Sequence, residues 1–530
     1  MAWPLRLLAL ALVAAAFPAS AFGRANQEML LQDDPRVVHP RSEEALRATL
    51  TEIRALGTDR VRVTVLWNLI APNPRSERRP SFGELGATDP RSYPPGVWDR
   101  YDRIVRMAHE LDLGVLFTVS GPGPAWADRT RRGRAGIRRP DAAAFGDFIE
   151  AVGRRYSGSW PDPEAAPTQQ REPRLPRVDH WSLYNEPNFP GWLMPQFSGR
   201  RPVSPHLYRG LVDAAWRGLE KSGHRGDTIL LGETARFADP PRGSRIASNS
   251  VAPTLTFVRE LYCLSSRYRP LRGRAARSRG CPATAGGRRR FRADHPGLFK
   301  APGWAHHPYT LTREPTWRGH GRTDTVIGVI NRLGRTLDRS RRAWRSFSRL
   351  PLWITEYGYE TPPDPFRAVS FARQAGWMSW GEFVAFRNPR VASFAQFLLR
   401  DDAPVAGRPQ RSRSRWVTWQ SGLRTSTGGP KPALAEFRVP IYVTPARPRG
   451  RTVRVFGAFR PADDSAQVPA RVEFRGRGGW QVLRSLTAQP PRAYVNARVR
   501  VPGRGRVRIT YLAPGAGERV ASRGVTVRPR

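Results

Sequence analysis

Two glutamates, Glu186 and Glu356, each stand directly behind a short apolar segment of the chain. The first follows Trp-Ser-Leu-Tyr-Asn at 181–185, and the second follows Leu-Trp-Ile-Thr at 352–355. Cleavage of a glycosidic bond requires one carboxylic acid to protonate the leaving oxygen and one carboxylate to attack or support the oxocarbenium-like carbon. Two glutamates at the ends of apolar strands therefore predict chemistry on sugars.

Short apolar segments alternate with helix-length amphipathic segments from residue 27 to residue 439. This alternation is typical of repeated βα units with a parallel sheet. Helical spacing is present at Leu46, Leu50 and Ile53, which follow the candidate N-cap Ser42. The eight candidate strands are 29–32, 61–67, 114–120, 178–184, 228–232, 303–306, 352–355 and 391–397.

Eight βα units that close on themselves form a (β/α)8 TIM barrel, and this is the α/β fold predicted for residues 27–439. The reactive groups of such barrels lie where strands end and βα loops begin. Glu186 follows the fourth candidate strand and Glu356 follows the seventh, so both fall at that end of the barrel. An open doubly wound sheet is the structural alternative, but no glycine-rich phosphate turn follows an early strand to favour it.

The periodicity changes after Pro440, where apolar and polar residues alternate between glycine and proline turns. This alternation predicts a small β-sandwich over 440–530, with the size of an immunoglobulin-like domain. Such a domain either binds carbohydrate or packs beside the barrel as a spacer, and the spacer role is favoured because its candidate aromatic platform is limited to Trp480 and Tyr494. The alternating residues are Val453, Val455, Val472, Phe474, Trp480, Val482, Val507, Ile509, Tyr511, Val525 and Val527.

The first 21 residues have the pattern of an export signal. Arg6 supplies the positive start, residues 7–17 are apolar, and Ala-Ser-Ala at 19–21 is a small-residue cleavage site. We therefore predict a signal peptide over 1–21 and a secreted protein. No later segment approaches the roughly 18 uninterrupted apolar residues of a spanning helix, so no membrane span is predicted.

The two cysteines, Cys263 and Cys281, are predicted to form a disulfide, because an exported protein matures in an oxidising compartment. Two unpaired buried thiols are the alternative. The arginine- and glycine-rich residues 265–296 interrupt the unit between the fifth and sixth strands. These residues predict a long, partly disordered segment that lies over the barrel surface and is held by the disulfide.

The formal net charge of +44 comes almost wholly from arginine. A field of this size attracts anionic polymers, such as phosphate-rich or uronic-acid chains. The arginines are scattered rather than gathered in one stripe, so a coding bias toward arginine is the favoured alternative explanation. The chain has no helix-turn-helix, RNA-binding strand motif or basic helix, and no specific nucleic-acid partner is predicted.

Both glutamate segments resemble known motifs. Residues 181–187 look like the acid/base motif of clan A glycoside hydrolases, and residues 353–358 look like the nucleophile motif of the same clan. The chain is similar to the cellulase-like and xylosidase-like enzymes of glycoside hydrolase families 5 and 39. The resemblance implies a retaining hydrolase of β-linked poly- or oligosaccharides that needs no cofactor, with Glu186 as acid/base and Glu356 as nucleophile.

The resemblance extends to residues that would contact the substrate or the nucleophile. Arg62 lies on the second strand, where the clan usually has an arginine near the nucleophile. The segment His307-Pro308-Tyr309 resembles a His-x-Tyr element after strand six, whose tyrosine hydrogen-bonds the nucleophile. Asn185 would hydrogen-bond the sugar 2-hydroxyl. Two departures are the missing histidine in 120–126 after strand three and the missing tryptophan in 394–398 at the end of strand eight.

The expected environments assign the two roles on physical grounds. Arg62 and Tyr309 near Glu356 favour its carboxylate form, because a cation and a hydroxyl donor both stabilise the negative charge. The aromatic residues flanking Glu186 favour its protonated form through poorer hydration, so that it can give and later recover a proton. These flanking residues are Trp181, Tyr184 and Phe189.

Further residues near strand ends have both a functional and a structural interpretation. Six tryptophans are candidates for stacking on sugar rings, of which two or three are expected to do so while the rest lie in the core: Trp67, Trp126, Trp192, Trp304, Trp317 and Trp419. Glu233, at the end of the fifth strand, is either a third acidic subsite residue or, as favoured, part of a structural salt bridge. No metal is predicted, since Asp401 and Asp402 alone are too few ligands for calcium and the neighbours His306 and His307 point to opposite faces of a strand.

A second functional hypothesis is a non-catalytic carbohydrate-binding or cell-wall-associated barrel protein. The two departures from the clan pattern motivate it. The presence of both glutamates favours the enzyme.

Overall fold

The computed structural model describes residues 25–130, 136–164, 173–241, 243–447, 450–462, 467–488, 490–513 and 519–529. Eight parallel strands form a closed barrel, in which β1 pairs with β2 on one side and with β8 on the other. The predicted TIM barrel is confirmed. Its strands are β1 (Glu28–Gln32), β2 (Arg60–Leu66), β3 (Gly114–Ser120), β4 (His180–Leu183), β5 (Thr228–Ala235), β6 (Gly303–His307), β7 (Leu352–Ile354) and β8 (Val391–Phe397).

Helices cover the outside of the barrel and follow the predicted spacing. In α2 the Ser42 hydroxyl accepts the Ala45 amide at 3.2 Å, and Leu46, Leu50 and Ile53 are buried against the barrel. The helices are α1 (Asp34–Val37), α2 (Glu43–Ala55), α3 (Trp67–Ile70), α4 (Asp99–Glu110), α5 (Ala142–Arg155), α6 (Ser204–Lys221), α7 (Thr254–Leu261), α8 (Gly273–Arg277), α9 (Ala285–Asp294), α10 (Pro296–Lys300), α11 (Asn331–Arg342), α12 (Phe371–Phe386) and α13 (Pro432–Arg438).

Strand β5 runs three residues beyond its predicted end because it contains a bulge. Its register with β6 shifts between Leu231 and Thr234. Within the bulge, Gly232 has a φ of 102° and Glu233 a φ of 40°, a left-handed conformation that is uncommon for a glutamate. The bulge changes the course of the strand at the end of the barrel where the two candidate glutamates lie.

The C-terminal residues form two antiparallel sheets, consistent with the predicted β-sandwich. One sheet has the order β9-β10-β13, and the other has the order β12-β11-β14-β15 with β16 also paired to β14. The strands are β9 (Ile441–Pro445), β10 (Thr452–Ala458), β11 (Val468–Arg475), β12 (Trp480–Ala488), β13 (Tyr494–Arg500), β14 (Gly505–Leu512), β15 (Arg519–Ala521) and β16 (Val525–Val527).

Most of the alternating residues lie in the sandwich core, but those of β12 do not. Val455, Val472 and Ile509 are fully buried, whereas Val482 is 48% exposed and Trp480 is partly exposed. Among the described residues β12 is the edge strand of its sheet, so these side chains have a paired strand on one side only. Trp480 and Val482 therefore alternate with polar residues as predicted but lie outside the sandwich core.

Helix α12 of the barrel packs against the C-terminal sheets through aromatic rings and a buried ion pair. Phe386 contacts Phe456 with ring centroids 5.1 Å apart and Tyr494 with centroids 4.8 Å apart. Arg460 pairs with Glu382, and both side chains are buried. The aromatic rings bury apolar surface, and each buried charge has an oppositely charged partner. Together these contacts hold the sheets against the barrel.

The excursion after β5 is confirmed to carry the Cys263–Cys281 disulfide. A closed loop of this length contributes about 3 kcal/mol in the loop-entropy model. The predicted partial disorder is not observed, because the segment forms α8 and α9. Thr284 caps α9 by accepting the Gly287 amide at 3.1 Å, and Phe291 stacks on Trp344 with centroids 4.1 Å apart.

The predicted signal peptide, residues 1–21, lies outside the described residues. Among the helices that are described, none is long and apolar enough to cross a membrane.

Candidate active site

Glu186 is held at the end of β4 by bonds to both neighbouring strands. The backbone N–H of Asn185 donates to Ser120 Oγ at 3.0 Å on the β3 side. The Glu186 amide donates to the Glu233 carbonyl at 3.0 Å on the β5 side. Glu186 has a φ of 37°, in the left-handed region that costs energy for a glutamate. The surrounding bonds compensate for this strain and direct the chain out of the barrel wall.

Glu356 follows β7 after Thr355, and each of its carboxylate oxygens accepts a hydrogen bond. Arg62 Nη1 donates to Oε1 at 2.8 Å, and the Tyr309 hydroxyl donates to Oε2 at 3.1 Å. These are the two contacts that the clan resemblance implied for the nucleophile. Both partners come from other strands or loops, so the barrel fixes the orientation of the carboxylate.

The two glutamates converge in one hollow. One carboxylate oxygen of Glu186 lies within 4.8 Å of one of Glu356. His307 Nδ1 lies between them, 2.9 Å from Glu186 Oε1 and 3.5 Å from Glu356 Oε2. Carboxyl groups about 5 to 5.5 Å apart are typical of retaining glycosidases, and a gap of roughly 6.5 to 9.5 Å is typical of inverting ones.

Arg62 is fully buried in β2 and links the two glutamate-bearing segments. Besides Glu356, it donates to Asn185 Oδ1 at 2.8 Å and to Glu233 Oε1 at 3.3 Å. A further N–H donates to Gln32 Oε1. Because Arg62 binds the amide oxygen of Asn185, the Nδ2 group of that amide is the one able to donate to a ligand.

Glu233 lies in the bulge of β5 and contacts His307 and Arg62, the partners of the two candidate catalytic glutamates. It is completely buried, and its Oε2 atom lies 2.7 Å from His307 Nε2. The favoured expectation of a structural salt bridge matches this position. No sequence signal indicated that Glu233 would contact both Arg62 and His307, the two cations nearest the candidate catalytic pair.

The electrostatic balance of the site follows from these contacts. Burial acts to lower the pKa of His307, but Glu356, Glu186 and Glu233 outweigh it and raise the pKa to about 10. Burial acts to raise the pKa of Glu233, but Arg62 and His307 outweigh it and hold the pKa well below its usual range. The hollow therefore contains two cations facing three glutamates.

Burial affects the two candidate catalytic glutamates differently from the sequence expectation. The Glu186 side chain is 18% exposed and that of Glu356 is 11% exposed, so Glu186 is the better hydrated of the two. Burial raises the pKa of Glu356 above its ordinary value, while His307 and Arg62 oppose that shift. The sequence-based expectation that Glu356 stays ionised included the effects of Arg62 and Tyr309 but not that of burial, which favours the protonated form.

The candidate stacking tryptophans differ in their accessibility. Trp67 is 1% exposed and stacks on Phe148 with centroids 5.8 Å apart, so its ring is part of the core and cannot bind a sugar. Trp126 is partly exposed and donates from Nε1 to the Pro72 carbonyl at 2.9 Å. Trp192 is partly exposed on the loop after Glu186, and its role remains a prediction.

Trp419 reaches the site from the long loop after β8. Its ring lies nearly parallel to that of Tyr309, with centroids 5.9 Å apart, and edge-on to Phe397 at 5.5 Å. The sequence places a phenylalanine rather than a tryptophan at the end of β8. An aromatic ring next to Tyr309, which donates to Glu356, is therefore supplied by a loop, at a tryptophan that was one of the stacking candidates.

Three metal-ligand types of side chain, those of Glu186, His307 and Glu356, offer atoms within 4.8 Å of one another. Both nitrogens of the histidine face carboxylates, however, at 2.9 Å and 2.7 Å. A histidine that donates from both nitrogens has no lone pair for a cation. The arrangement is better described as a charge-paired network.

Comparison with family models finds no match for this chain, and comparison with curated proteins finds none. Several solved structures resemble it. A beta-glucosidase from Trichoderma harzianum aligns with a TM-score of 0.45 and 13% identity, over 79% of this chain and 97% of that one. A family 1 beta-glucosidase from Thermotoga maritima aligns with a TM-score of 0.45 and 12% identity, over 79% and 98%.

A family 51 alpha-L-arabinofuranosidase from Bifidobacterium longum aligns with a TM-score of 0.40 and 12% identity, over 92% of this chain and 96% of that one. These neighbours are clan A glycoside hydrolases, the clan whose motifs the sequence resembles. The chemistry of the present site rests on its own geometry.

Proposed function

We propose that this chain is a retaining glycoside hydrolase that cleaves β-glycosidic bonds of a poly- or oligosaccharide by double displacement. The observation that carries the proposal is the convergence of Glu186 and Glu356, with carboxylate oxygens within 4.8 Å of each other. A close approach of the two carboxylates is what the retaining mechanism requires. The partial exposure of both side chains supports access of a saccharide to the pair.

In the first step, the Glu356 carboxylate attacks the anomeric carbon and the bond to the leaving oxygen breaks. Glu186 gives its proton to that oxygen, so an alcohol leaves and a glycosyl ester forms on Glu356. Arg62 and Tyr309 keep the attacking carboxylate in place. The side-chain Nδ2 group of Asn185 donates to the sugar 2-hydroxyl, and this contact strengthens in the transition state.

In the second step, the Glu186 carboxylate takes a proton from water as the water oxygen attacks the anomeric carbon. The ester bond breaks, Glu356 leaves as a carboxylate, and Glu186 is again protonated. Two inversions at the same carbon give net retention. Water and the glycoside are the only reactants, so the reaction as proposed uses no cofactor.

A panel of aryl β-glycosides and of plant and bacterial wall polysaccharides tests this proposal, with the first-formed anomer followed by proton NMR. We expect the β-anomer to appear first and the α-anomer to grow only by mutarotation. An α-anomer that appears first would exclude double displacement, because a single displacement inverts the configuration.

A non-catalytic carbohydrate-binding barrel is the second candidate. It is favoured by the absence of a histidine in the segment after β3 and of a tryptophan at the end of β8. The same panel separates the two candidates. Glycan binding measured by calorimetry, with no product from any substrate, would support the second.

We further propose that the protein is secreted and that its basic surface draws it to anionic polymers. The export-signal pattern of residues 1–21 and the Cys263–Cys281 disulfide support secretion. The intact mass of protein recovered from the growth medium tests it, with the mature chain expected to begin after Ala21. A full-length mass would contradict the proposed cleavage.

A further inference from the structure

Glu233 has no role in the two steps above, yet it touches the partners of both catalytic glutamates. Its backbone carbonyl accepts the Glu186 amide at 3.0 Å. Its carboxylate lies 2.7 Å from His307 Nε2 and 3.3 Å from Arg62 Nε. One buried residue thus connects the end of β4 with the two cations of the hollow.

The contacts of Glu233 leave no place for a proton on it. Oε1 accepts from Arg62 and from Thr118 Oγ1 at 3.3 Å, and Oε2 accepts from Thr355 Oγ1 at 2.5 Å as well as facing His307. Four donors surround a group that is an acceptor when ionised. His307 Nε2 must therefore carry the hydrogen in its contact with Glu233.

The other ring nitrogen of His307 faces the candidate catalytic pair. Nδ1 lies 2.9 Å from Glu186 Oε1 and 3.5 Å from Glu356 Oε2. With Nε2 committed as a donor, one proton is available to the contact between Nδ1 and Glu186. The charged and titratable groups that face His307 are Glu186 after β4, Glu233 on β5, Glu356 after β7 and Tyr309 after β6.

The neighbouring His306 does not belong to this group. Its ring contacts Thr234 Oγ1 at 2.9 Å and the Thr325 carbonyl at 2.9 Å, on the other face of β6. The backbone at Glu233 adds a second sign of a positional role. A glutamate with a φ of 40° inside a strand bulge is strained, and such strain persists where surrounding contacts over-determine the position.

We propose that Glu233 is a positioning residue that fixes His307 in one orientation, so that the proton used by Glu186 is shared with His307 Nδ1. The proposal rests on the proposed function and deepens it. The shared proton passes through Glu186 to the leaving oxygen, which leaves both the Glu186 carboxylate and His307 Nδ1 without it. When Glu186 recovers a proton from water, the starting state returns, and Glu233 keeps its charge throughout.

Glu233→Gln in the full-length protein tests the proposal by kinetics. We expect kcat to fall by roughly 10- to 100-fold, because displaced catalytic groups lose about that much. KM should stay within about twofold of the wild-type value, because Glu233 is buried behind His307 and Arg62 and does not contact substrate. Loss of a negative charge lowers the pKa of each neighbour, so the alkaline limb of the pH profile should move down by about one unit.

The matched control is Asp213→Asn. Asp213 Oδ2 lies 2.7 Å from His295 Nδ1, so this substitution also removes a carboxylate from a histidine, but on α6 in the outer helical layer. We expect its kcat, KM and pH profile to match the wild type. A Glu233→Gln profile that is indistinguishable from this control would overturn the proposal.

Nitrogen-15 NMR of the histidine rings separates this proposal from the proposed function, because it needs no substrate. At about pH 8 an ordinary histidine is neutral. We expect His307, assigned by the signal that disappears in His307→Gln, to be protonated on both nitrogens there in the wild type. In Glu233→Gln it should lose a proton at lower pH.

A neutral wild-type His307 at that pH, or the same titration in Glu233→Gln, would overturn the positioning role even if hydrolysis is found. The expected titrations in a protein that hydrolyses no glycoside would support the positioning role while the proposed function fails. If Glu233→Gln does not fold, the protonation state of His307 in the wild-type spectrum at about pH 8 decides whether the positioning role stands.

Discussion

Replacing Glu356 with glutamine should reduce hydrolysis of an activated aryl β-glycoside by roughly 10⁴-fold or more, because an amide cannot form the covalent ester. Glutamine has nearly the same size, and its amide oxygen can still accept from Arg62 or Tyr309. The loss should therefore appear in kcat while the fold is retained. Initial rates and a thermal melt of the same preparation measure the two quantities.

The matched control for this substitution is Glu150→Gln. Glu150 is also buried and ion-paired, with Lys221 at 3.6 Å, but it lies on α5 outside the barrel. We expect full activity from it. Activity close to wild type in Glu356→Gln would remove Glu356 from the mechanism and leave the double displacement without its nucleophile.

Replacing Glu186 with alanine should have an effect that depends on the leaving group. Glycosides with a poor leaving group need protonation of the departing oxygen, and their rate should fall by roughly 10²- to 10⁴-fold. Glycosides of an acidic phenol depart without that help, so the first step should remain fast. The second step should become slow, because no general base activates water.

Two observations follow for Glu186→Ala with the activated substrate. A burst of phenol should precede slow turnover, since the glycosyl ester on Glu356 accumulates. Added azide should restore turnover and give a β-glycosyl azide, because an anionic nucleophile needs no general base. Equal losses with good and poor leaving groups, without azide rescue, would contradict the acid/base assignment.

The barrel could be predicted from the sequence because its signals are local. Eight apolar segments separated by helical spacing require only periodicity, and the predicted ends agree with the observed strands within a few residues. The extension of β5 was missed, since a bulge depends on pairing with β6 rather than on local pattern. The exposure of Val482 on β12 could not be predicted, because alternation does not distinguish an edge strand from a central one.

The site was predicted in part, and for an identifiable reason. Glu186 and Glu356 were paired because each stands at a strand end in a segment with a known resemblance, and the structure brings the two side chains together. Trp67 has the same kind of sequence position but is buried, so position near a strand end does not establish exposure. Glu233 had an ambiguous signal, and its contact with His307 was not predictable from either residue alone.

The sequence by itself determined the βα repeat, the strand ends that bear the two glutamates and the cysteines able to pair, because each depends on residues close together in the chain. Only the tertiary structure decided which side chains meet. Arg62, Glu233 and His307 come from β2, β5 and β6, and closure of the barrel brings them into one buried network. Contacts between distant segments are set by packing around that closed sheet, which no local periodicity encodes.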